Sequence, residues 1–430
     1  MSSPVVAFVG MTHLGLNSVV AGAERGFTMI GYDPDPSLVE RLNRGEMPVV
    51  EPDLDRLAAA NKAKLTFTAD PKDLAGCDVV YVAPDVATDD EGRSDLSTID
   101  HLLDLAFAHA RADSVLVVLS QVPPGYTRAR QRAGRTLIYQ VETLIFGRAM
   151  ERALYPERTI IGLADPAKAL PDAYRLYLEG HGNPPLLPMR FESAELAKIS
   201  INCCLVASVS VANTLAEICE RIGADWSEIA PALKLDRRIG AYSYLTPGLG
   251  ISGGNLERDL ATVLRFADHH ATDGGVVAAW LANSRHRKGW SEQVLRSEVL
   301  DGNPAARVAV LGLAYKENTH SIKNSPSLAC LERIKGCDVA VFDPVVKGSV
   351  VPWAKDCASI EECVSGADAL AILTPWAEFK GLEPSRLAEL MRGRVIIDPY
   401  RCVAAETAVA AGFDYVSLGM PPLRAGEGTC

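Results

Sequence analysis

Basic residues are scarce relative to acidic ones in this 430-residue chain: 43 lysines and arginines against 54 aspartates and glutamates, a formal charge of −11. That balance argues against a nucleic-acid partner, which needs a basic face. It leaves room for a small anionic ligand in a locally basic pocket. The start has no charged segment followed by an apolar one, because "MSSPVVAFVG" runs straight into a strand pattern. No uncharged apolar run is read as reaching about 18 residues, so no membrane partner is expected. The 10 cysteines include no CxxC pair and no regular spacing. A disulfide framework and a metal site are therefore not expected, and a reduced, cytoplasmic protein is the simplest reading. Cys203 and Cys204 fall in a helical pattern and are expected to be small core residues.

With 48% hydrophobic and 23% charged residues, the chain has the balance of a globular protein, and its length suits two or three domains. "PVVAFVG", "MTHLGLNSVVAGAERGF" and "TMIGYDPD" read as strand, helix and strand, a βαβ unit with parallel strands. "CDVVYVAPD", "SVLVVLSQVPPG" and "RTIIGLA" continue the strands. Residues 1–185 thus read as a doubly wound domain, closed by the Pro-rich "GNPPLLPMRFES". From 194 to 223 one helical pattern runs with almost no breaker. It spans roughly 45 Å, the length of a connector or a dimer seam, and opens a helical region over 186–300. "RVAVLGLAY", "DVAVFDP", "ALAILT" and "RVIIDPY" mark a second open sheet within 301–430, and "PPLRAGEGTC" reads as a loose tail.

The first βα turn holds Gly10, Thr12 and Gly15 at the positions where a dinucleotide fingerprint wants three glycines. The middle glycine normally lets the backbone approach a pyrophosphate, so Thr12 is expected to shift or weaken the ligand. Asp33 ends the second strand at the distance of a ribose-binding carboxylate, which by charge favours NAD over NADP. An ordinary βα turn without a ligand would look similar. Lys316 and Lys323, in "LGLAYKENTHSIKNSPS", lie beyond the carboxyl end of a strand, where open α/β sheets place ligands. Solvated surface lysines would also fit that position.

Residues 247–259, "PGLGISGGNLERD", form a glycine-crowded loop closed by Asp259 before an apolar helical stretch. With "YDPDPSLVERLNRGEMPVVEPDL", "DEGRSDLSTI", "AELAKISIN", "DRRIGAY", "LGLAYKENTHSIKNSPS" and "TPWAEF", it stands in an order that resembles the UDP-glucose/GDP-mannose dehydrogenases over nearly the whole chain. The resemblance implies an α/β protein with two Rossmann-like, doubly wound domains, joined by a long central helix that forms a homodimer core. It implies NAD as cofactor and oxidation of the C6 alcohol of a nucleotide sugar as the reaction. By the same resemblance, Lys198, Asn202, Asp259 and Glu142 match catalytic positions. Arg238 matches an arginine that reaches the neighbouring subunit's substrate. Lys316 and Arg401 match substrate-binding positions, and Lys323 one that reaches the cofactor.

The chain departs from the family at the reacting centre. Where the family's loop carries a nucleophilic cysteine in GGSCxPKD, this sequence has Asn255. An amide forms no thiohemiacetal or thioester. The expected reaction is therefore oxidation without a covalent step, the alternative being a regulatory nucleotide-sugar-binding protein without turnover. The family's "VPTP" turn becomes "PDVA" at 84–87, its serine-threonine pair becomes Ser120-Gln121, and its second "NPEFLREG" glutamate becomes Phe146.

Overall fold

The computed structural model describes residues 3–89 and 92–426, so the first two letters of "DEGRSDLSTI" and the last four residues lie outside the described residues. The chain forms two compact units, residues 1–201 and 202–430.

The first unit contains β1 (Val5–Val9), β2 (Thr28–Tyr32), β3 (Leu65–Thr68), β4 (Val79–Val82), β5 (Ala87–Thr88), β6 (Ser94–Asp95), β7 (Val115–Val118), β8 (Thr136–Gln140), β9 (Thr159–Leu163) and β10 (Leu186–Arg190). Eight of these form one sheet in the order β10-β9-β8-β7-β4-β1-β2-β3, while β5 and β6 pair as a separate antiparallel ribbon. The neighbours in the large sheet are parallel except β8 and β9. Every residue of β4, β7 and β9 is buried, as expected of strands covered on both faces. The Pro-rich segment expected to close the domain supplies β10 instead. An edge strand tolerates Pro188 because one side of its backbone needs no ladder donor. Helix α1 (His13–Glu24) follows β1, and nearly all of its residues are buried.

The second unit holds β11 (Arg307–Leu311), β12 (Asp338–Phe342), β13 (Lys355–Asp356), β14 (Ala369–Ile372), β15 (Val395–Ile397) and β16 (Asp414–Val416), all parallel, in the order β13-β12-β11-β14-β15-β16. In both large sheets the first strand sits beside the second on one side and the fourth on the other. This is the doubly wound arrangement with a switch point at the first strand. The tail expected to be loose is docked as far as it is described. Leu423 and Tyr415 exchange backbone hydrogen bonds of 2.8 and 2.9 Å. Arg424 pairs with Glu298 at 2.9 Å and with Asp414 at 3.3 Å.

One helix, Phe191–Ile222, runs 32 residues. By length and composition alone it could cross a membrane, its most apolar 18-residue window having a mean hydropathy of 1.6. Residues 199–216 carry no charged side chain. The sequence expectation of shorter runs passed over this stretch because serines, asparagines and a threonine interrupt its apolar residues. Cys204 on this helix is exposed and Cys203 half-buried, so the adjacent pair is not a core pair.

Candidate active site

In the first unit the βα turn is shaped by its outer glycines. Gly10 adopts φ +97°, and a Cβ there would lie 3.0 Å from the Pro84 nitrogen. A Cβ on Gly15 would collide with the Gly10 carbonyl oxygen. Both positions therefore require glycine. The buried Asp33 carboxylate accepts the Met11 N–H at 2.8 Å and the Asp35 N–H at 3.0 Å. Its oxygens keep further lone pairs for a ribose hydroxyl. The turn thus fits a dinucleotide at Gly10, Gly15 and Asp33.

Thr12 stands at the start of α1 without capping it. Its hydroxyl oxygen accepts the Asp85 N–H at 2.8 Å, and the Asp85 carboxylate accepts the His13 N–H at 3.0 Å. The His13 ring bonds Glu51 at 2.8 Å and stacks on Phe146 at a centroid distance of 4.1 Å. Glu51 also accepts from Gly147 N at 2.8 Å. Asp85, Glu51 and His13 were not singled out from the sequence. The acidic replacement within "PDVA" was the available signal for Asp85. Ser120, buried, donates to the Pro84 carbonyl at 2.6 Å and so helps fix the same loop. Lys198 and Glu142 face each other at 3.5 Å, both side chains largely shielded.

In the second unit Asn202 donates to Asp259 at 2.5 Å, and Arg258 Nε lies 3.2 Å from the other carboxylate oxygen. All three residues are buried. Asp259 does not open a helix, as the sequence suggested. The helix Asn255–His269 begins four residues earlier, after Gly253 turns the chain at φ +75°. Asp259 therefore sits one turn in, where helical geometry aims it at the long helix. Asn255 occupies the first position of the new helix and is exposed. Its loop is anchored by Gly253 N to the Lys323 carbonyl at 3.0 Å, and by Asn324 Nδ2 to the Gly253 carbonyl at 2.8 Å. Lys288 bonds Glu257 at 2.8 Å.

Cys203 does not have the setting of a reactive thiol. Burial, aided by the Asp259 charge, pushes its thiol up to about 11, and it packs in an apolar cluster with Val206, Ile251 and Leu260. Lys316 lies over the Tyr315 ring at 5.7 Å. Arg401, at φ +53°, bonds Asp225 at 2.8 Å and Ser227 at 3.0 Å. Arg238 bonds its near neighbour Asp236 at 2.7 Å, with its side chain 89% exposed. Among the described residues no cluster of three or more histidine, cysteine or carboxylate side chains could hold a metal.

Residues 5–179 match the NAD binding domain of the UDP-glucose/GDP-mannose dehydrogenase family, 192–284 its central domain, and 309–405 its UDP binding domain. The UDP-glucose 6-dehydrogenase of Rhizobium meliloti is 30% identical, over 97% of this chain and 99% of its own length. The chain belongs to the UDP-glucose/GDP-mannose dehydrogenase family. A UDP-glucose 6-dehydrogenase of Bacillus subtilis is 29% identical over 98% of this chain and 94% of its own length. A UDP-glucose dehydrogenase from Pyrobaculum islandicum is similar in structure with a TM-score of 0.84, at 25% identity over 97% of this chain and 98% of that one. In family terms, the βα turn at Gly10 belongs to an NAD-binding domain, and NAD is the cofactor. The two Rossmann-like sheets are those the sequence led us to expect.

Proposed function

We propose that the chain is an NAD-dependent oxidoreductase acting on the C6 alcohol of a nucleotide sugar, like UDP-glucose 6-dehydrogenase but without a covalent thioester. The observation that carries this reading is the buried hydrogen bond between Asn202 and Asp259, retained beside a loop whose nucleophile position is Asn255. A site drifting without function has no reason to keep a buried carboxylate satisfied by an asparagine and an arginine while its loop is rewritten.

In this reading NAD, held at Gly10, Thr12, Gly15 and Asp33 and reached by Lys323, supplies the acceptor for the hydride leaving C6. The chain's own groups manage charge and protons. Lys198 stabilises the developing alkoxide, and Glu142 orients that ammonium. Lys198 and Asn202 lie four residues apart on one helix, so a single face presents both. Asn202 fixes the Asp259 carboxylate, which takes part in moving the hydroxyl proton. Asn255 hydrogen-bonds the reacting oxygen without attacking its carbon. Lys316 and Arg401 bind the nucleotide sugar, and the exposed Arg238 serves the neighbouring subunit.

We assign the homodimer to the long helix. Val211, Leu215, Ile218 and Ile222 are 53%, 41%, 46% and 69% exposed, and their four-three-four spacing makes one apolar stripe. A cytoplasmic location goes with this reading. The division into 1–185, 186–300 and 301–430 gains support from the three family segments matched in that order.

The deciding experiment incubates the purified chain with NAD and a panel of nucleotide sugars and follows NADH absorbance. One NADH per sugar with a hydrazine-trappable aldehyde is expected. Two NADH per sugar with a carboxylate would mean that water attacks the bound aldehyde. Tight binding of a nucleotide sugar with no turnover across the panel would replace this reading with the regulatory one.

A further inference from the structure

The start of α1 is where a doubly wound NAD-binding domain receives the cofactor's pyrophosphate, because backbone N–H groups and the helix dipole both favour an anion there. In this chain an anion is already present. The Asp85 carboxylate accepts the His13 N–H at 3.0 Å, the first donor of the helix. The contact is reciprocal: the Asp85 N–H donates to Thr12 Oγ1 at 2.8 Å. The residue in the middle glycine position and the acidic residue of the neighbouring loop therefore form one lock across the mouth of the turn. The loop behind the lock packs closely on the turn, since a Cβ on Gly10 would lie 3.0 Å from the Pro84 nitrogen and the Pro84 carbonyl is held by buried Ser120. Asp85 itself is exposed, so its side chain has solvent to swing into.

Electrostatics point the same way. Glu51 holds the His13 ring at 2.8 Å with its own side chain shielded, and Asp33 lies under Met11. A doubly charged pyrophosphate must enter beside these carboxylates, and it can reach the His13 N–H only after Asp85 releases it. We propose that Asp85 is an internal competitor for the cofactor's pyrophosphate and sets the NAD affinity of this chain. The proposal rests on the NAD-binding role of the first unit. It does not depend on any nucleotide sugar being oxidised.

Calorimetric titration of the full chain with NAD, ADP-ribose and adenosine tests it. Asp85→Ala is expected to tighten NAD and ADP-ribose on the order of tenfold, the scale of one charged hydrogen bond freed for the ligand. Adenosine, which has no phosphate, should bind as before. Asp85→Asn keeps the backbone bond to Thr12 and removes only the charge, which guards against a folding defect. It should tighten the same two ligands by a smaller factor. Thr12→Gly should also tighten them, and the Thr12→Gly/Asp85→Ala pair should gain less than the product of the single effects, because the two residues form one lock. Unchanged or weakened ADP-ribose binding in Asp85→Asn overturns the proposal, and so does an equal gain for adenosine. Absence of dinucleotide binding in the native chain and all variants overturns it as well. If the affinities shift as expected but no sugar is oxidised, the proposed activity falls and the role of Asp85 stands.

Discussion

Asp33 and Asp343 perform the same act in the two sheets. Each carboxylate accepts the backbone N–H that follows a left-handed glycine, Met11 N at 2.8 Å and Leu313 N at 2.7 Å. The glycines, Gly10 and Gly312, each donate at 2.8 Å to the carbonyl just before the aspartate, that of Tyr32 or Phe342. Further down the first strands the correspondence continues. Val5 N bonds Asp78 at 2.9 Å, and Arg307 N bonds Asp368 at 2.8 Å. The two domains thus repeat one device, in which an aspartate at the end of the second strand clamps the turn after the first.

This double duty at Asp33 predicts two separable losses. Asp343→Ala should cost its unit roughly 1–3 kcal/mol, the scale of leaving buried N–H groups unpaired, and leave NAD affinity unchanged. Asp33→Ala should show a similar loss of stability and also weaken NAD binding. The native chain should bind NAD more tightly than NADP, because the Asp33 carboxylate opposes a 2′-phosphate. Denaturant titration and calorimetry measure the two effects. Tighter binding of NADP to the native chain would remove Asp33 from the cofactor site.

His181 gives the first unit a pH dependence. Its Nδ1 meets the Tyr177 carbonyl at 2.9 Å, its ring lies parallel to Phe27 and meets the Tyr177 ring edge-on, and burial lowers its pKa below the ordinary 6.5. The unfolded chain takes up a proton near 6.5, and the folded chain resists it. The contribution to stability is therefore complete above 6.5 and is lost as the pH falls through the lowered folded value. Stability measured from about pH 7.5 to about pH 5 should decline more steeply in the native protein than in His181→Gln. Parallel curves for the two proteins would assign the decline to other groups.

The apolar stripe on the long helix predicts assembly. Ile218→Glu combined with Val211→Glu should convert a dimer to monomers in light scattering at micromolar protein. It should also abolish the contribution of Arg238 to substrate affinity, if that arginine serves the other subunit. A native chain that is monomeric under these conditions removes both assignments.

The frame of the molecule was legible because buried parallel strands are apolar runs, as in "VVAFV" and, after its first residue, "RVAVL". Most strands that escaped notice are edge or short ones; the exception is β8, an interior strand of five residues whose "TLIYQ" begins and ends on polar residues. β10 contains a proline, β3 alternates exposure, and β16 is three residues long. Of the candidate site residues, those a motif carries were legible, and the structure joins Asn202 to Asp259 and Lys198 to Glu142. The lock of Thr12 and Asp85 was not, since it joins residues 73 positions apart, and the acidic letter in "PDVA" does not say which backbone N–H it meets. The clamp at Asp343 did leave one. "YDP" and "FDP" follow corresponding glycine turns, a repeat that becomes visible once the two sheets are compared.

The buried carboxylate and the nearby thiol should separate cleanly in kinetics. Asp259→Asn is expected to lower kcat by roughly a hundredfold, the scale of a lost proton-transfer group, with a smaller effect on KM. Cys203→Ala should leave kcat intact, because a thiol pushed up to about 11 supplies almost no thiolate near neutrality. A large loss on removing Cys203 would reopen the question of a covalent step.

Asn255→Cys asks whether the loop still addresses the reacting carbon. The side chain stands at the first position of a helix, exposed, on a loop tied to Lys323 and Asn324. A thiol placed there gains from the helix dipole, which favours thiolate at an N-terminus. The aldehyde formed by the first oxidation would then meet a nucleophile at the position the family reserves for one. The variant should accumulate a covalent adduct, visible as added mass on the intact chain in the presence of NAD and substrate. Alternatively it should raise the yield from one NADH per sugar to two, with a carboxylate product. Either result shows that the native loop keeps the geometry of a thioester enzyme and lacks only the sulfur. An unchanged mass and stoichiometry, in a variant that still turns over, means that the loop has rotated away from the carbon, and the hydrogen-bonding role assigned to Asn255 then fails with it.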